Sequence, residues 1–239
     1  MMDVAPALEI LLPVHNEAES IEATIREIYQ AVSPIVAMGF IVCEDGSVDG
    51  TQQVLLRLSK LYPMKLSMID ERRGYSSAVI EGMKSLEAPY LLCLDSDGQC
   101  DPNDFWKFWE ERDRQDVAIG WRVNRSDDVL RRTLSRAFYH VYQLFYHVPA
   151  HDPSCPFVLA SRQVIEGLVP KLGEMKQGFW WEFTARVYRG GYSLRELPVN
   201  HRQRAAGQTQ VYRLGRMPEI GYKHFKALFK IWAQTRKNP

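Results

Sequence analysis

Apolar residues follow two rhythms along this chain. Short unbroken runs, Leu8 to Val14, Phe40-Ile41-Val42-Cys43, Leu66 to Ile69, Tyr90 to Leu94 and Val117 to Ile119, read as strands. Strands covered on both faces favour such continuous runs over strict alternation. Between them the spacing becomes helical. Ile21, Ile25, Ile28 and Val32 share one face, as do Val54, Leu55, Leu58 and Leu61 within Gly50 to Leu61. A third helix is expected from about Ser76 to Leu86, and a fourth from Pro102 with Asp101 as its N-cap. Asn16 and Glu19 have capping-box spacing ahead of the first helix. Strands alternating with helices predict an α/β protein with a mostly parallel sheet covered by helices on both faces.

The second half has a different rhythm. A long helix is expected from Val129 to Val148, with Leu134, Phe138, Val141, Phe145 and Val148 on its apolar side. Arg132, Arg136, Tyr139 and Gln143 fall on the opposite side. After a turn-rich stretch, His151 to Pro156, come a strand (Phe157 to Ala160) and two short helices (Arg162 to Leu168, Trp180 to Arg189). A strand from Ser193 to Val199 and a basic loop from His201 to Thr209 then lead to a last helix, Glu219 to Thr235. With no internal repeat and no linker, the pattern predicts one domain over residues 1–239, with a nucleotide-binding half (1–120) and an acceptor half (121–239).

Polar residues gather where strands stop. Glu17, Asp45 and Asp95 each follow an apolar run, which predicts that they converge on one sheet edge, where open α/β sheets bind ligands. The sharpest signal is Asp95-Ser96-Asp97-Gly98-Gln99. Two carboxylates held that close repel unless a cation lies between them, and oxygen ligands suit Mg²⁺ or Mn²⁺. Gly98 permits a sharp turn, and Gln99 adds an amide oxygen to the set Asp95, Asp97 and Gln99. A calcium loop starting at Asp95 would need Gly and Glu where Cys100 and Trp106 stand. A plain capped turn is the competing reading.

Composition narrows the field. Thirty Lys and Arg against twenty-nine Asp and Glu give a net charge of +1, which argues against a nucleic-acid-binding protein. The four cysteines form no CxxC pair and read as reduced thiols of a cytoplasmic protein. Neither a signal peptide nor an apolar run of about 18 residues is evident. On the last helix Lys223, Lys226, Lys230 and Lys237 gather on one face, with Phe225, Leu228, Phe229 and Trp232 on the other. That pattern fits a helix lying peripherally on the inner face of a membrane, or one packed on its own domain with its lysines in water.

Taken together, L-P-V-H-N-E-A-E-S-I, E-D-G-S-V-D-G-T, R-R-G-Y-S-S-A-V and D-S-D-G-Q resemble the nucleotide-sugar motifs of family 2 glycosyltransferases. Ile119-Gly120-Trp121-Arg122, Asp152-Pro153-Ser154, Glu196-Leu197-Pro198-Val199 and Arg204 to Thr209 are similar to the dolichol-phosphate mannose synthase branch, the polyprenyl-phosphate glycosyltransferases. The resemblance covers the chain to about Gln210. It implies a GT-A fold and metal-dependent, inverting transfer of a sugar from a nucleoside diphosphate sugar to a polyprenyl phosphate. By matching positions it implies that Pro13, His15, Glu17, Asp45 and Gly74 line the nucleotide sugar, together with Asp95. It implies acceptor-phosphate roles for Arg122 and Arg204, with Arg132 and Arg136 competing for a third.

The sequence also departs from the family. Ser154-Cys155-Pro156-Phe157 stands where relatives read T-S-G-F, and Gln210 replaces a lysine. Both weaken a phosphate acceptor more than a sugar donor. The alternatives are a hydroxyl acceptor on a glycan or surface polymer, with Glu182 as candidate base, or an inactive sugar-nucleotide binding protein.

Overall fold

The computed structural model describes residues 5–123, 129–203 and 217–235. At the centre is β1 (Leu8–Val14), every residue of which is buried. It pairs in parallel with β2 (Met38–Asp45) on one side and β4 (Tyr90–Cys93) on the other, and β3 (Met64–Ile69) extends the sheet beyond β2. Past β4 come β6 (Val158–Ser161), β5 (Val117–Arg122) and β7 (Leu194–Val199), completing a seven-stranded sheet ordered β3-β2-β1-β4-β6-β5-β7.

The sheet is mostly parallel, as expected; among the described strands only β6 is reversed, running antiparallel to both β4 and β5. Val158, the first residue of β6, pairs with Cys93, the last of β4, so the chain re-enters the sheet at the carboxyl edge it left after Arg122. The intervening helix, α5 (Val129–Tyr146), therefore makes no crossover. Reversing one strand restores the direction of the next. Hence β4 and β5 point the same way, and Arg122 emerges on the same edge as Asp95.

Helices α1 (Ile21–Val32), α2 (Thr51–Leu58), α3 (Tyr75–Lys84) and α4 (Phe105–Glu111) connect the strands of the first half. As the periodicity predicts, α1 buries Ile21, Ile25, Ile28 and Val32. The capping box does not form. Asn16 takes a left-handed backbone (φ 54°), its N–H bonds Ser47 Oγ, its Oδ1 accepts Val48 N–H, and the helix starts only after Ser20. Asn16 thus ties the β1 loop to the β2 loop. Against the sheet α3 packs so closely that a Cβ on Gly82 would lie 2.1 Å from Leu11 Cδ1.

The second half adds α6 (Arg162–Leu168), α7 (Phe179–Arg189) and α8 (Met217–Thr235). A second core forms among α5, α7 and α8 around Tyr142, Tyr146, Ala185, Leu228 and Ile231. The face of α5 turned inward is centred on the two tyrosines, while Phe138, Val141 and Phe145 are only partly buried. This corrects the expected stripe. Tyr146 can sit inside because its hydroxyl donates to Leu228 O at 2.6 Å. Among the described residues no helix is long and apolar enough to cross a membrane.

Candidate active site

The carboxyl ends of β1, β2 and β4 are laced together. Ser96 Oγ donates to Pro13 O at 2.8 Å, and His15 Nδ1 lies 2.8 Å from Asp45 O, which its N–H can reach. Glu17 is buried, with Ser20 Oγ donating to its carboxylate at 2.6 Å and Thr51 Oγ1 accepting its backbone N–H at 2.9 Å. Asp45, also buried, accepts the N–H groups of Arg73 (2.7 Å) and Gly74 (2.8 Å). Gly74 has φ 97°, open to glycine but costly for other residues, and this bends the chain into α3. Beside this clamp is a cavity of about 270 Å³ whose lining includes Asp45, Ser67, Arg73, Ser77, Glu81 and Lys84.

Asp95 and Asp97 follow β4. The Asp95 carboxyl is pushed up to about 7, first by the loss of water around it and then by the neighbouring Asp97 charge. Glu17 also opposes its ionisation, while Arg122 favours it. Asp95, Asp97, Glu17 and Arg122 therefore share one electrostatic neighbourhood. Asp95 Oδ1 accepts the Tyr75 hydroxyl at 2.7 Å, and Tyr75 in turn accepts Trp180 Nε1–H at 2.7 Å. Asp97 Oδ1 accepts Gln99 N–H (3.1 Å), and Gln99 Nε2 donates to Arg202 O (3.3 Å). Among the described residues no three His, Cys, Asp or Glu side chains converge as a closed metal cage. Two carboxylates one residue apart at a strand end suit a cation that draws its other ligands from a bound phosphate.

Arg122, the last residue of β5, stands beside them as the hub of a hydrogen-bond cluster. Its Nε and Nη2 donate to the two Asp152 oxygens at 2.7 and 2.9 Å, and Nη2 also donates to Ser154 Oγ at 2.8 Å. Burial opposes its charge, but Asp152 outweighs burial and raises its pKa, so the guanidinium stays charged. Glu196 braces Asp152, accepting its N–H at 2.8 Å while bonding His151 Nδ1 at 2.6 Å.

The other expected site residues are placed differently. Arg136 is exposed on α5. Arg204 and the Arg132 side chain lie outside the described residues. Glu182 is fully buried. One of its oxygens accepts the N–H groups of Gly173 (3.2 Å) and Met175 (2.8 Å), and the other accepts Arg186 Nε at 2.8 Å. Sequence reasoning gave Tyr75 no role of its own beyond the motif R-R-G-Y-S-S-A-V, and offered Trp180 only as a sugar-stacking ring or as core.

A mostly parallel sheet whose carboxyl edge gathers an aspartate pair and a clamped arginine has the architecture of a GT-A glycosyltransferase. The chain belongs to the family described as glycosyl transferase family 2, whose signature matches residues 9–169. It is 29% identical over 215 residues to the glycosyltransferase AglD of Haloferax volcanii, covering 85% of this chain and 34% of that protein. It is 26% identical over 213 residues to a dolichol-phosphate mannosyltransferase of Pyrococcus furiosus, covering 85% and 59% respectively. The chain thus spans about a third of the first relative and less than two thirds of the second. Among solved structures it resembles glucosyl-3-phosphoglycerate synthase from Mycobacterium tuberculosis, in complex with Mn²⁺ and uridine-diphosphate-glucose. There the TM-score is 0.68 at 16% identity, over 96% of this chain and 80% of that one.

Proposed function

We propose that this domain transfers a sugar from a nucleoside diphosphate sugar to a polyprenyl phosphate, with inversion and with a bound Mg²⁺ or Mn²⁺. The observation that carries this reading is the meeting, on one sheet edge, of the Asp95–Asp97 pair with Arg122, which Asp152 and Ser154 hold. Asp95, Asp97 and Gln99 would hold the cation. When bound, it offsets the charge that develops on the departing nucleoside diphosphate. The cavity beside Asp45 offers the nucleobase a recess with both carboxylate and cationic walls. In the reaction the bond from the anomeric carbon to the diphosphate oxygen breaks, and an acceptor phosphate oxygen bonds that carbon from the opposite side.

A monophosphate, with a second pKa of about 6, is largely ionised at neutral pH, so no general base is required. It needs cationic positioning, and Arg122 and Arg204 are assigned that role, joined by Arg132 or Arg136. The position of Glu182 favours this reading over a hydroxyl acceptor, because both its oxygens are already occupied within the fold. Glu182 is assigned a positioning role. The proposed lipid acceptor also gives a role to the aromatic residues that α8 leaves exposed, as a contact with the membrane surface.

The test is Mn²⁺-dependent donor binding and transfer. Wild type should be stabilised against heat by UDP- or GDP-sugars with Mn²⁺, because ligands that bind only the folded state raise the melting point. Asp97→Ala, or EDTA, should abolish that gain without unfolding the protein. An unchanged nucleotide affinity in both would overturn the metal assignment, and transfer to a soluble hydroxyl but not to polyprenyl phosphate would overturn the acceptor.

A further inference from the structure

The bonds around Asp95 form a chain whose polarity is fixed by chemistry. The Trp180 indole N–H can only donate, and it points at the Tyr75 hydroxyl oxygen at 2.7 Å. That oxygen is thereby an acceptor, and its single proton is left for Asp95 Oδ1, also at 2.7 Å. Trp180 is 6% exposed and packs in the main core, so the start of the chain has little freedom to move. Tyr75 is held on other sides as well. Immediately before it, the N–H groups of Arg73 and Gly74 bond Asp45, and immediately after it Ser76 Oγ donates to Lys176 O at 2.8 Å. The hydroxyl thus sits at a point set jointly by β2, by the segment leading into α7 and by α7 itself.

We propose that Tyr75 is a positioning residue for Asp95, held in turn by Trp180, and that this pair fixes which Asp95 oxygen is left to meet the cation. The inference rests on the metal-dependent reading of the site given above. The Tyr75–Trp180 pair links α7, an element of the acceptor half, to a carboxylate of the donor half. A role confined to packing would need only the two rings. A positioning role needs the hydroxyl and the indole N–H, so the two are separable by substitution.

Tyr75→Phe keeps the ring and removes the donor. Titrating Mn²⁺ into wild-type and Tyr75→Phe protein saturated with UDP or GDP, read by calorimetry, should give about tenfold weaker metal binding in the variant, the usual loss when a hydrogen bond to a charged group disappears. The melting temperature and the metal-free nucleotide affinity should stay at wild-type values. Trp180→Phe should weaken Mn²⁺ binding less, since Tyr75 retains its hydroxyl but loses its guide. The double variant should be no worse than Tyr75→Phe alone, because both substitutions break one chain. Equal or tighter Mn²⁺ binding by Tyr75→Phe would overturn the inference alone, as would a matching loss of metal-free nucleotide affinity. Wild-type protein that binds no Mn²⁺ would overturn the inference together with the reading it rests on.

Discussion

A single guanidinium carries much of the acceptor assignment, and its surroundings determine what its loss would do. Arg122 is partly buried against Asp152, so truncating it removes the proposed phosphate contact and also takes the guanidinium from a carboxylate that is 7% exposed. A hydrogen bond to a charged group is worth roughly 1.5–3 kcal/mol, or more than tenfold in affinity. Arg122→Ala is expected to raise the KM for polyprenyl phosphate by at least that factor while donor affinity stays within a few-fold of wild type. Steady-state kinetics with each substrate varied in turn checks this, and the reverse pattern would move Arg122 to the donor side. Arg122→Lys should rescue little, because an ammonium cannot reproduce the fork that Asp152 and Ser154 hold. At this scale the sequence was legible wherever a strand ran straight into a charged residue, as at Asp45, Asp95 and Arg122. Glu182 was not legible in this way. Nothing in Phe179-Trp180-Trp181-Glu182 says that its carboxylate turns inward to the N–H groups of Gly173 and Met175.

Among the elements, α8 separates what periodicity can say from what packing decides. Its apolar and lysine faces are visible in the sequence, but the pattern groups Leu228 with Phe229 on one face. In the fold Leu228 and Ile231 are fully buried, whereas Tyr222, Phe225 and Phe229 are 69%, 51% and 55% exposed. Burying each of the first two contributes about 1.5–3 kcal/mol, so the helix does pack on its own domain. The aromatics still lie bare, with the exposed Lys226 between them on the helix. An aromatic strip beside lysines suits the headgroup region of an anionic bilayer. The 239-residue chain is expected to sediment with phosphatidylglycerol vesicles at low salt and to be released as salt rises, since each lysine near the surface adds about 1 kcal/mol of screened attraction. Phe225→Ser with Phe229→Ser should abolish sedimentation and leave the melting temperature unchanged, because neither ring belongs to the core. Sedimentation that survives both substitutions would leave α8 a purely structural helix. The reversed strand β6 was illegible for a related reason. Strand direction depends on whether α5 crosses the sheet, and α5 instead packs with α7 and α8.

Across the whole molecule, the sheet runs through both halves, and a buried charge pair within α7 ties together the elements packed around that helix. Glu182 and Arg186 are 0% and 4% exposed at the side chain and pair at 2.8 Å. A buried ion pair adds little net stability by itself, since desolvation offsets its attraction, but removing one member strands the other. Arg186 also donates to Gln234 of α8, and Glu182 holds the Gly173–Met175 segment next to the Ser76–Lys176 bond. Losing this carboxylate therefore loosens α8 and the bond from α3 to the segment leading into α7 at the same time. Glu182→Ala is expected to cost about 3–5 kcal/mol, a large part of the roughly 5–15 kcal/mol that keeps a domain folded. For a chain of this length that lowers the melting temperature by roughly 6–20 °C. Glu182→Gln should fall between, keeping an acceptor for Met175 while leaving Arg186 without its countercharge. Far-UV dichroism and tryptophan fluorescence followed through a denaturant series should shift together if the halves unfold as one unit. The same variants decide between the two acceptor chemistries. A structural Glu182 predicts loss of activity in proportion to loss of fold, recovered on cooling or by ligand. A catalytic base predicts Glu182→Gln protein that melts like wild type and binds donor but transfers nothing, and that result would return the hydroxyl acceptor to first place.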